Sequence, residues 1–121
     1  MIRAELSAVQ RPGQGRWRCA LRADGHAPGQ PEVCAAVSIL VQSLRAHLRL
    51  ICPGGEVRAR VERGRARLIW EGGEAVALAF RQTAVGLRQV ALAHPEAVEI
   101  AEEDIGPIAA TGSPAVQRAG R

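Results

Sequence analysis

The chain has 121 residues, 47% of them hydrophobic, and a formal net charge of +4, which is the size and apolar content of one domain with its own core. No apolar run approaches the length of a membrane span, and the opening "MIRAELSAVQ" has no apolar stretch of the signal-peptide kind. Cys19, Cys34 and Cys52 are odd in number and include no CxxC pair, which argues against a disulfide framework or a zinc site and for a reducing, cytoplasmic setting.

Residues 2–9, "IRAELSAV", alternate apolar and polar side chains, the period of a half-buried strand. "QRPGQG" is a turn. Residues 16–24 alternate again, with Trp17, Cys19, Leu21 and Ala23 on one face, so the two strands are expected to pair as a hairpin. The loop "GHAPGQPE" interrupts any helix with its glycines and prolines. From Val33 the period lengthens. Val33, Val37, Leu40, Val41, Leu44, Leu48 and Ile51 mark one face of a long helix, which "PGG" at 53–55 ends.

A second hairpin follows. With Arg63-Gly64 as its turn, Val61 faces Ala66, Ala59 faces Leu68 and Val57 faces Trp70, while Glu62, Arg65, Arg60, Arg67 and Arg58 share the solvated face. Val76, Phe80, Thr83, Leu87 and Val90 predict a second helix over 74–93, closed by "HP", and "AVEIA" at 97–101 reads as a last strand. The predicted fold class is α+β, in the order β-β-α-β-β-α-β, an antiparallel sheet with two amphipathic helices on one face. Residues 1–101 form the expected domain and 102–121 a mobile tail. The two ββα halves are loosely alike.

Cys34 is expected near the start of the first helix. There the helix dipole and unpaired backbone N–H groups favour a thiolate, the nucleophilic form of cysteine. His26, in the preceding loop, is within reach as a general base, and Gly25 and Gly29 free the backbone to bring it there. Ser38 lies one turn after Cys34 on the same face. The N–H groups around Val33 to Ala36 are expected to form an oxyanion site. Spacing alone leaves two readings open, a catalytic pair or a loop histidine beside a buried thiol. Cys19 and Cys52 are read as structural, and His47 and His94 as surface or helix-end residues. Asp24 is a candidate to orient His26.

"GHA" followed by "VCAAVS" at a helix start, with "GLRQVALAHPEAVEI" near the C-terminus, resembles the ribosomal-processing cysteine protease (Prp) family. The resemblance covers residues 1–101. It implies a dimeric cysteine endopeptidase that removes an N-terminal extension from a large-subunit ribosomal protein, without metal or cofactor; phage relatives process capsid or scaffold proteins. It makes Cys34 the nucleophile and His26 the base, with Ser38 and Gly25 in support. Two features depart from the family pattern. The loop between histidine and cysteine is shorter than usual, and Pro31 replaces an aspartate three residues before the cysteine. Leu78, Val85 and Leu92 repeat every seven residues off the core stripe of the second helix, and this face is the expected homodimer contact. Two further readings remain: an inactive relative that binds the ribosomal protein, and a basic ribosome-associated module touching RNA through Arg58, Arg60, Arg65 and Arg67.

Overall fold

The computed structural model describes residues 1–11, 13 and 15–103. Its elements are β1 (Ile2–Arg11), β2 (Arg16–Gly25), α1 (Pro31–Ile51), β3 (Glu56–Glu62), β4 (Arg65–Gly72), α2 (Glu74–Ala93) and β5 (Val98–Glu103). This is the order expected from the sequence. Of the segment read as a tail, residues 102 and 103 lengthen β5, and 104–121 lie outside the described residues.

The strands form one sheet in the order β3-β4-β2-β1-β5. Three pairings are antiparallel, while β5 lies parallel to β1. The helix explains the direction. It returns the chain to the end of the sheet where β4 began, so β5 runs with β4 and hence with β1.

Alternation puts Ile2, Ala4, Leu6 and Ala8 of β1, Trp17, Cys19, Leu21 and Ala23 of β2, and Ala66, Leu68 and Trp70 of β4 on a single buried face. Both helices cover that face. The α2 helix lies over β1, β2, β4 and β5, and α1 packs on α2 and on β3 and β4. The two helices approach closely beside Gly86, where a Cβ would stand 2.8 Å from Leu40 Cδ2.

Two expectations need correction. Val61 pairs with Ala66 and Ala59 with Leu68, but Glu56 and not Val57 stands opposite Trp70. An irregularity between Glu56 and Arg58 takes up one extra residue, as a β-bulge does, and leaves Val57 half exposed. Further, α1 is long and apolar enough, by length and composition alone, to cross a membrane. In this fold its stripe of Val33, Val37, Val41, Leu44 and Leu48 is buried.

Candidate active site

The site forms where β2 gives way to α1. β2 ends at Gly25, whose φ of 108° lies outside the range open to most side chains. Residues 26–30 cross to the helix, and Pro31 opens it at a position where a missing N–H costs nothing. Inside the crossing, the Gln30 N–H donates to Ala27 O at 3.0 Å. A cleft of about 790 Å³ is lined by this tight loop, the start of α1 and the β3–β4 turn. Apolar side chains of Ile2, Ala27, Val37, Val41 and Val61 line its interior.

Cys34, His26, Ser38 and Gly25 all line this cleft. Cys34 is half-buried, in the first turns of α1 as expected. Its Sγ accepts the Ala27 N–H at 3.4 Å and lies 4.0 Å from Ala27 O. The sulfur is thus closer to the donor than to the acceptor.

His26 is exposed, and its ring rests on the β3–β4 turn. A Cβ built on Gly64 would stand 2.6 Å from His26 Nε2 and 2.7 Å from Cε1. The same turn is joined to the loop by the Gly25 N–H, which donates to Gly64 O at 3.0 Å. The Met1 amino group donates to His26 O at 2.6 Å. Among the described residues, no hydrogen bond joins the imidazole to the Cys34 thiol. Cleavage geometries often tighten only once substrate is bound.

Two supporting expectations are changed by the structure. The N–H groups of Val33 and Cys34 both donate to Gln30 O, at 3.1 and 3.4 Å, because the first helical turn closes on its own cap. They are not the open oxyanion site expected from sequence; the donor that faces the sulfur is Ala27 N–H. Asp24 is not turned to His26 either. Arg67 reaches it at 3.0 and 3.2 Å and Arg22 at 3.2 Å. The hydrogen bond from Arg67, with help from Arg22, holds the Asp24 carboxyl below its ordinary pKa. Ser38 is half-buried and accepts a hydrogen bond from Gln42 Nε2 at 2.9 Å.

The other candidates sit elsewhere. Cys19 is fully buried in β2, and burial pushes its thiol up to about 12. The Cys52 S–H donates to Glu71 O at 3.5 Å at the far end of α1. His47 is exposed on α1, and His94 caps α2. Of the basic hairpin face, Arg60 is paired with Glu62 and Arg67 is half-buried against Asp24, while Arg58 and Arg65 have no carboxylate partner among the described residues.

No family model matches the chain, and no curated protein does. Solved structures do. The ribosomal processing protease Prp of Staphylococcus aureus, with a covalently linked product peptide, superposes with a TM-score of 0.66 at 15% identity, over 85% of this chain and 100% of that one. The chain shares the fold of Prp. The same protease with a substrate peptide gives 0.66 at 14% identity, again over 85% and 100%. SMU.848 from Streptococcus mutans gives 0.63 at 25% identity, over 84% of this chain and 93% of that one. At these identities the likeness to Prp is one of fold.

Proposed function

We propose that the chain is a Prp-like cysteine endopeptidase that removes the N-terminal extension of a large-subunit ribosomal protein in the cytoplasm. One observation carries the reading. In a fold shared with Prp, Cys34 lies in a substrate-sized cleft with its sulfur facing a backbone N–H and a histidine on the same cleft's wall.

His26 takes the proton from Cys34 Sγ, and the thiolate attacks the scissile carbonyl carbon. Negative charge passes from sulfur to the carbonyl oxygen close to the Ala27 N–H. The C–N bond then breaks as His26 returns the proton to the departing amine, leaving a thioester. Water, giving a proton to His26, attacks the thioester, and the acid product leaves with Cys34 restored. Ser38 offers a hydroxyl to the substrate or the dyad. Gly25 lets the chain turn from β2 into the loop. The short loop and Pro31 narrow the range of substrates without removing either reacting group.

Homodimerisation through α2 belongs to the same reading. Leu78, Val85 and Leu92 are exposed by 52, 50 and 71%, an apolar row that a second copy would cover. RNA docking is the less favoured reading of the basic hairpin, since Arg60 and Arg67 already have carboxylate partners.

The test is incubation of the wild-type chain and Cys34→Ala with the source organism's large-subunit ribosomal protein carrying its extension, read by mass spectrometry. Shortening by the wild type alone supports the protease. Tight binding with no shortening by either protein identifies an inactive binding relative, and shortening by both exposes a contaminant.

A further inference from the structure

We infer that Gly64, in the turn between β3 and β4, is a positioning residue for His26: the space where its side chain would be is the seat of the imidazole. The inference rests on the protease reading for its catalytic meaning, though the seat itself is a matter of geometry.

His26 is exposed, and among the described residues no hydrogen bond reaches its ring. An exposed imidazole on a loop explores several rotamers unless something confines it. Two contacts with the same turn do so. The Gly25 N–H to Gly64 O bond of 3.0 Å fixes the backbone next to His26. The ring then fills the room beside the Gly64 Cα, with Nε2 and Cε1 at 2.6 and 2.7 Å from where a Cβ would be.

Gly64 has a φ of 75°, so the turn alone already favours glycine here. The first hairpin provides the contrast. Gly15 has a φ of 61°, yet nothing lies within 4 Å of where its Cβ would be. Both turns need the backbone freedom of glycine, but at Gly64 the missing side chain also makes room for His26.

The experiment compares Gly64→Ala with Gly15→Ala, each in the full chain. Two quantities are read: the ring proton shifts of His26 by NMR, assigned through His26→Ala, and the rate at which iodoacetamide alkylates Cys34 at neutral pH. Gly64→Ala is expected to move the His26 ring signals and to slow alkylation as much as His26→Ala does, about tenfold where an imidazole activates the thiol. Adding Gly64→Ala to His26→Ala should slow it no further. Gly15→Ala should change neither quantity. If Gly64→Ala does not fold, Gly64→Asn takes its place, since asparagine tolerates this φ and still brings the crowding Cβ. Unmoved His26 signals in a folded Gly64 variant overturn the inference, whatever happens to the alkylation rate. Moved signals with an alkylation rate that even His26→Ala leaves unchanged uphold the seat and reject the dyad.

Discussion

The two ββα halves differ most where strand meets helix. From β2 to α1 the chain spends residues 26–30, and a cleft opens beside them. From β4 to α2 it spends Gly73 alone. The two helix starts are otherwise comparable. Val33 and Val76 hold the same position after their caps, and both are buried. At the next position Cys34 is half-buried beside the cleft, whereas Ala77 is sealed at 1% exposure.

Each junction also has a cysteine next to it, in a different hydrogen-bonding setting. Cys34 accepts a backbone N–H, and Cys52, packed near Gly72 at the second junction, donates to the Glu71 carbonyl. One architectural unit, used twice, thus leaves an open cleft where the connection is long and a sealed junction where it is short.

The largest effect expected is on chemistry at the first junction. Cys34→Ala should abolish cleavage of the extended ribosomal protein while changing stability by about 1 kcal/mol or less, since one half-buried sulfur is lost. His26→Ala should nearly abolish cleavage, because both proton transfers lose their carrier. Wild-type turnover in the Cys34→Ala protein would erase the distinction between the junctions. The second junction should answer in the opposite way. Ala77→Leu has no room to expand into and should cost about 1–3 kcal/mol in denaturant unfolding. A neutral Ala77→Leu would show that the second junction is not sealed.

Cys19 stands outside both junctions and sharpens the contrast through pH. Its folded pKa is raised by burial from an ordinary 9.0 to about 12. Between those values the unfolded chain loses a proton that the folded chain keeps. The stability contributed by this group is therefore complete below about 9 and is lost as pH rises toward 12. Unfolding free energy measured across that window should fall, and Cys19→Ala should flatten the decline. The same slope with and without Cys19 would contradict the assignment. The smallest effect is that of Ser38→Ala, which removes at most one hydrogen bond, about 1 kcal/mol in the apparent barrier to cleavage; a loss as large as that of His26→Ala would place Ser38 in the dyad.

Much of this was legible in the sequence because it is periodic. Alternation marked the first two strands, and Val33 to Leu48 marked the face of α1. The Arg63-Gly64 turn set the register of Val61 and Ala59. Periodicity failed at Val57, where an inserted residue breaks the alternation without any marker residue. The direction of β5 was also hidden, since a strand's pattern is the same whichever way it pairs.

In the site, motif residues identified Cys34, His26 and Ser38, and the fold brings all three to one cleft. What motif reading missed depends on contacts across the chain. Gly64 is a turn glycine in sequence and becomes the neighbour of His26 only when the second hairpin folds beside the first loop. Asp24 is two residues from His26 in sequence, but its carboxylate is held by Arg67 and Arg22. Ala27 belongs to the motif, yet its N–H reaches the sulfur only through the tight turn that ends at Gln30.

The most direct measurement is limited alkylation of the native chain with iodoacetamide near neutral pH, followed by peptide mapping. Cys34 should be modified first, Cys52 more slowly because its thiol is hydrogen-bonded to a carbonyl, and Cys19 only on unfolding. Equal labelling of the three cysteines in the folded protein, or protection of Cys34, would contradict it.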